Sequence, residues 1–482
     1  MTSPMAGPVD AVVVGSGPNG LAGAITLARA GLAVRVYERA STIGGGTRSA
    51  ELTLPGFRHD VCSAAHPLAV ASPFMRSVDL AGHGVRFRHA EYPFAHPLDG
   101  GRAGIVHRDV STTAAGLGAS GGTYERIMAP LLRDWEHLVQ QVLGPIRPPV
   151  PLRRWPVLAR FVLRGARPVG LITRRLDDDR AAAIIAGAAA HTMLPFWALP
   201  TGPFGVLLTL LAHAVGWPVV EGGSQGIADG LAAELATLGG EIVLDTDVTD
   251  LRQLPAAKIV LLDVAPAALP SLAGGRLPAS YETWLRRYRY GSGVCKIDYA
   301  LSGPIPWTND EVRRAGTLHL GGSWHEIASS ERDTAVGRHP GRPYVLAVQP
   351  GVADPTRAPA GKDTLWAYCH VPAGSSVDMS PSVDAQVERF APGFRDLVLA
   401  RHITTAAQEE LANPNYVGGD ISTGATTVRQ LLFRPTPQWD PYPTPLAGTY
   451  LCSSATPPGP GVHGMSGYHA ARSALRRELG LH

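Results

Sequence analysis

Residues 11–20 read Ala11-Val12-Val13-Val14-Gly15-Ser16-Gly17-Pro18-Asn19-Gly20. The four apolar, mostly β-branched residues stopped by glycine predict a strand buried on both faces of a parallel sheet. From Pro18 to Ala30, Leu21, Ile25 and Ala28 recur on one helical stripe, with proline in the first turn and Gly31 just past the end. Ala33 to Tyr37 then alternates and stops at Glu38, so the segment predicts a βαβ unit. With 55 glycines in 482 residues, about 0.7 matches to G-x-G-x-x-G arise by chance, and the spacing alone decides nothing. Indeed 116–121 and 459–464 repeat it without lying between a buried strand and a first crossover helix. In its strand-to-helix context, Gly15 makes the tight turn, Gly17 lets backbone approach a diphosphate, and Gly20 lets helix and strand pack closely. The helix N-terminus attracts the phosphates. Glu38 stands where a carboxylate accepts hydrogen bonds from a ribose 2′-hydroxyl and repels a 2′-phosphate.

Outward from this unit, 482 residues are about three times the ~150 expected per domain, so two or three cores or one large discontinuous fold are expected. Lys plus Arg is 43 against 40 Asp plus Glu, a net charge of +3 with no basic excess suited to nucleic acid. Charged residues are only 17% and apolar types 45%, while glycine and proline make up about a fifth of the chain. That mix predicts a large interior joined by many turns. Cys62, Cys295, Cys369 and Cys452 lie too far apart for a zinc site or redox pair. With no signal-peptide pattern at the start, a reduced, cytoplasmic protein is expected.

After Glu38 come Arg39 and, five residues on, the cluster Gly44-Gly45-Gly46-Thr47-Arg48. It continues the backbone beside a long ligand and favours FAD over NAD. At this point the chain resembles the phytoene desaturase-related flavoproteins of the flavin amine oxidase superfamily, over essentially its whole length. Three further stretches carry the resemblance. Val219-Val220-Glu221-Gly222-Gly223-Ser224-Gln225-Gly226 precedes a helix and the strand Glu241 to Asp245, then Thr246-Asp247-Val248; Lys258 to Pro266 reads as a further strand and turn; and Gly448 to Thr456, followed by Gly461 to Tyr468, reads as strand, glycine-rich loop and final helix, with Ala471, Leu475 and Leu479 inward.

The resemblance implies an α/β fold: a Rossmann-like FAD-binding domain assembled from residues 1–75, 218–275 and 410–482, with a second α+β substrate domain from 76–217 and 276–409. It implies FAD contacts from Gly15, Ser16, Gly17, Pro18, Asn19, Gly20, Glu38, Arg39, Gly45, Gly46, Thr47 and Arg48. It adds the backbone of Val248 at the adenine end, and Ala455, Val462, His463, Gly464 and Met465 beside the isoalloxazine. Helix-start N–H groups there would stabilise negative charge on reduced flavin. It also implies that Lys296, on the alternating strand Gly293 to Leu301, holds a water against the flavin; the plainer reading is a half-exposed strand with Lys296 and Asp298 in a solvated ion pair.

Residues 181–220 contain no Asp, Glu, Lys or Arg, but Pro195, Pro200, Pro203 and Pro218 break the run into pieces too short to span a bilayer singly. A core or tunnel lining is expected, with peripheral membrane contact as the alternative. His59, His66, His191, His213, His370 and His463 are candidates to approach the site. No metal site, carboxylate pair or nucleophilic triad stands out, so the chemistry belongs largely to the cofactor. The expected activity is desaturase- or dehydrogenase-type hydride transfer from a lipophilic small molecule to flavin N5. Oxygen, a quinone or another diffusing acceptor would then take the electrons. The competing readings are an amine oxidase, with Trp366, Tyr368, Trp439 and Tyr442 as cage candidates, a redox-neutral isomerase, and a non-catalytic FAD-stabilised interaction protein.

Overall fold

The computed structural model describes residues 9–145 and 155–481. The apolar run Ala11–Val14 forms the middle strand of a five-stranded parallel sheet ordered Thr449–Leu451, Ile259–Leu262, Ala11–Val14, Val34–Tyr37, Glu241–Val243. Alternate residues of the middle strand enter two cores. Ala11 and Val13 pack with Leu21, Ile25 and Ala28 of the helix Pro18–Arg29 and with Ala471 and Leu475 of the final helix Met465–Leu479. Val12 and Val14 pack on the opposite face with Leu269, Ala273 and Leu285. The strand at 241 stops at Val243, short of the expected Asp245, because Asp245 takes a left-handed φ of 52° and turns the chain.

A second, seven-stranded sheet runs Val398–Thr404, Gly293–Leu301, Asp363–Val371, Val345–Val348, Ala315–Leu320, Tyr92–Pro97, Ala103–Val106; only the pairing of Tyr92–Pro97 with Ala315–Leu320 is parallel. The molecule is thus an α/β protein with a Rossmann-like parallel sheet and a second, mixed α+β unit. Gly293–Leu301 spans its expected residues, but every one is buried. Cys295, Ile297, Tyr299 and Leu301 face Val383, Val387 and Phe390 of the helix Ser380–Phe390, and the opposite face carries Val294, Lys296 and Asp298 inward. The half-exposed reading therefore fails, because residues far along the chain cover both faces.

The uncharged stretch folds into the helices Asp179–Ala190 and Thr201–Ala214, packed against one face of the large sheet. Among the described residues, no helix is long and apolar enough to cross a membrane.

Candidate functional site

The turn after the first strand is tied to the end of the second. Ser16 donates from N–H and Oγ to Glu38 Oε2 at 2.9 and 2.6 Å, and the Ala40 N–H donates to Oε1 at 2.9 Å. The helix then starts at Gly17–Pro18 with no side-chain cap, leaving its N-terminal dipole end toward the turn. A Cβ on Gly20 would collide with the Gly15 carbonyl oxygen, so the close approach of turn and helix requires glycine there.

A second carboxylate, which the sequence reading missed, lies at this turn. Val14 pairs with Leu262, so Asp263 follows its strand just as Gly15 follows the neighbouring one. Asp263 Oδ2 accepts the Gly20 N–H at 2.9 Å. Burial pushes its carboxyl up to about 7, the Gly20 hydrogen bond opposes this, and the charge of Glu38 adds to it. Its position at the carboxyl end of a strand beside the glycine turn was the available signal.

One cavity of about 560 Å3 joins this turn to the large sheet. Its wall includes Gly15, Gly17, Pro18, Asn19, Glu38 and Arg39, then Gly45, Gly46, Thr47 and Arg48, with Val248 and Val462. Asp263 is also on it. Six residues expected against the cofactor lie behind the wall. Ser16 is fully buried and spent on Glu38, and Gly20 serves packing and Asp263. Ala455, His463, Gly464 and Met465 sit behind the rim made by Pro460, Gly461 and Val462. His463 accepts the Met465 N–H at Nδ1 (3.0 Å), so its Nε2–H donates to the Gly459 carbonyl (3.1 Å). Its own carbonyl accepts Ser72 Oγ at 2.6 Å, and burial lowers the ring to about 4. His463 thus shapes the loop as a neutral ring, and one helix-start N–H expected to face the ligand is already taken.

Lys296 does not line the cavity. Its ammonium is held by Asp298, the side chains being 2% and 0% exposed. The ring of Trp366, which does line the cavity, is centred 5.8 Å from Nζ. His59 Nδ1 is 3.7 Å from Asp298, but burial lowers it to about 3 and keeps it neutral. The expected ion pair exists, buried one layer behind the wall, because the strand is covered on both faces.

Toward the large sheet the wall becomes apolar, with Met193, Phe204, Leu208, Trp217, Leu346 and Val348. Trp366 and Tyr368 stand beside them with ring centroids 5.2 Å apart and planes at 76°. Two other aromatic candidates are elsewhere: Trp439 is exposed, and Tyr442 is buried with its hydroxyl on the Pro457 carbonyl. Of the candidate histidines, His66 and His191 reach the wall. His213 is spent on Tyr124 and His370 on Glu331. His191 shares a 3.1 Å Nε2–Nε2 hydrogen bond with His319; burial lowers His191 to about 3 and holds His319 well below the usual imidazole range, so both are neutral. The acidic wall residues are Glu38, Asp247 and Asp263, all on the parallel-sheet side. Met193 and Thr423 also hold left-handed φ angles of 54° and 53°, strain of about 1–3 kcal/mol each of the kind that collects at working sites.

A family profile described as an NAD(P)-binding Rossmann-like domain matches residues 13–78. The chain is 26% identical over 546 residues to the mouse pyridine nucleotide-disulfide oxidoreductase domain-containing protein 2, covering 97% of this chain and 93% of that one. It is 25% identical over 291 residues to the neurosporene-forming phytoene desaturase of Rhodobacter capsulatus, covering 54% of each. A solved structure of putrescine oxidase with putrescine bound has the same fold, with a TM-score of 0.59, 16% identity and coverage of 97% and 98%. The glycine turn and the two-sheet architecture show a fold with a dinucleotide-binding domain, and these likenesses support an oxidoreductase of a flavin-type superfamily. In sequence the chain resembles a phytoene desaturase, and in fold alone an amine oxidase.

Proposed function

We propose that this oxidoreductase uses FAD to oxidise an uncharged, lipophilic substrate by desaturase- or dehydrogenase-type hydride transfer. The observation that carries this reading is the single cavity that begins at the diphosphate-type turn and ends between apolar side chains and the pair Trp366 and Tyr368. Bound there, FAD would supply a two-electron acceptor whose N5 takes a hydride from a substrate C–H bond. The chain does the rest. Gly17 and the helix start receive the diphosphate, and Glu38 turns its carboxylate to a ribose hydroxyl. Met193, Phe204, Leu208 and Trp217 hold the substrate and exclude water. The neutral His191 offers the apolar end a polar group without a charge. Oxygen, a quinone or another diffusing acceptor completes the cycle.

An amine oxidase should greet an ammonium with a carboxylate or an aromatic cage. The apolar end carries no carboxylate, and Trp366 and Tyr368 meet edge to face. This favours a neutral substrate. The test is an anaerobic screen of the FAD-loaded protein with lipophilic alkenes, terpenoids and amines, read as loss of oxidised flavin absorbance. Bleaching by an alkene or terpenoid is expected. Bleaching by amines alone would replace this reading with the amine oxidase one, and a colourless protein that stays so after incubation with FAD would end it.

A further inference from the structure

We propose that the surface formed by the helices Trp155–Gly165 and Val169–Thr173 with the loop 195–200 docks on an anionic lipid bilayer. Residues 155–175 contain Arg160, Arg164, Arg167, Arg174 and Arg175 and no Asp or Glu, in a chain whose charges otherwise nearly balance. Arg160 is paired with Asp134, whereas Arg164, Arg167, Arg174 and Arg175 have no carboxylate partner among the described residues. Of the acidic run 177–179 that follows, Asp178 is paired with Arg180 and Asp179 with Arg102, which leaves Asp177 against the four unpaired arginines.

Large apolar side chains stand out from the same surface. Leu163 is 68% exposed, Trp197 50%, Val162 48%, and Leu171 and Leu199 43% each. The second helix and the loop are joined here: the Gly170 N–H donates to the Phe196 carbonyl at 3.1 Å, and the Trp197 ring lies against Gly170. The Arg174 guanidinium sits 4.6 Å over that ring. Isolated exposed apolar residues need no explanation, but a cluster with a cationic border marks an interaction surface. Leucine, valine and tryptophan would enter the headgroup boundary while the arginines reach phosphates along their apolar stems. A surface with an excess of unpaired arginines fits anionic headgroups and lies on the bilayer, since no described helix is long and apolar enough to cross it.

The helix Thr201–Ala214, which starts at the end of the exposed loop, also carries Phe204 and Leu208 to the cavity wall.

The test is co-sedimentation of the full-length protein with phosphatidylcholine vesicles, with and without phosphatidylglycerol, and it needs no turnover. Wild type should bind the anionic vesicles and bind about tenfold more weakly to phosphatidylcholine alone or at high salt. Arg174→Glu with Arg175→Glu, and separately Leu163→Ser with Leu171→Ser, should each lose most of the binding. Quenching of tryptophan fluorescence by brominated lipid should be weaker in Trp197→Phe than in wild type, a comparison that does not depend on the multiple variants folding. No binding to anionic vesicles, equal quenching in Trp197→Phe, or a dimer dissolved by Leu163→Ser with Leu171→Ser would overturn the proposal; the last would assign the surface to a second copy of the chain.

Discussion

Asp263 is the residue at which burial and charge oppose most directly. Its carboxyl sits beside the helix N-terminus, yet one hydrogen bond from Gly20 does not offset desolvation and the charge of Glu38, and it is raised from 3.8 to about 7. The folded state therefore keeps a proton that the unfolded chain gives up between about pH 4 and 7, so this stabilisation is present at low pH and is lost as pH rises through 7. Asp263→Asn should flatten that slope and be the more stable form at pH 8, by up to a few kcal/mol. Urea unfolding of both forms at pH 5 and pH 8 measures it; Glu409 and Asp363, raised to about 7 and 6, titrate equally in both. An unchanged slope in the variant would refute the assignment. The same neutralisation should tighten FAD binding below pH 7, since a charged Asp263 repels a diphosphate. Lys296 makes the contrasting case. Lys296→Met strands Asp298 in the interior and should cost about 3–5 kcal/mol, with part recovered by adding Asp298→Asn. Flavin reduction in the folded fraction should change little. A hundredfold loss at unchanged stability would restore a direct role to the lysine.

Among elements, those decided by local pattern were readable. The first strand, its helix and the last helix follow from an apolar run, a stripe at helical spacing and terminal glycines, and Ala471 and Leu475 are buried as the stripe implied. Contacts between distant segments were not readable. Alternation along 293–301 showed which side chains share a face, but nothing nearby told that 380–390 would cover one face and that Lys296 and Asp298 would go inward. The cavity wall is similar: Val462 was found because it belongs to a glycine loop and Met193, Phe204, Leu208 and Trp217 because they belong to the uncharged run 181–220, whereas Asp263, Leu346 and Val348 depend on pairing between strands separated in the chain. The crossing of the first and last helices is another contact of this kind. Gly467 lies against the Asn19 carbonyl, where a Cβ would collide. Gly467→Ala should force the helices apart, cost about 1–3 kcal/mol, and weaken cofactor retention, since Asn19 is on the cavity wall. Gly480→Ala, at the far end of the same helix with φ 64° and nothing within 4 Å of its Cβ position, should cost about 1 kcal/mol or less and leave retention intact. Thermal melts and the flavin-to-protein absorbance ratio separate the two. Equal loss of flavin in both variants would count against the helix crossing as the cause.

For the whole molecule, convergence of both chain ends on one groove was readable from two glycine-rich turns, and Gly17 and Val462 do face one cavity. Its apolar end was readable in part, since the uncharged run 181–220, expected as a core or tunnel lining, supplies Met193, Phe204, Leu208 and Trp217; its volume was not, because it arises only when the helices of 179–214 close over the large sheet. The wall of the proposed FAD site draws on residues 14–48, 246–272 and 453–462, segments brought together only by folding. A ligand filling such a site binds the folded chain and hardly the unfolded one, so its binding energy appears in full as stability. At a free concentration one hundred times Kd, FAD should add about 2.7 kcal/mol and raise Tm by a few degrees. ADP at the same free concentration, filling only the diphosphate and adenosine end and so binding more weakly, should give a smaller rise. NADP should give none, because Glu38 repels its 2′-phosphate. Thermal melts of the stripped protein across a titration of each ligand decide this. If NADP stabilised as strongly as FAD, or if ADP matched FAD at equal free concentration, a cavity spanned end to end by one flavin dinucleotide would be the wrong description.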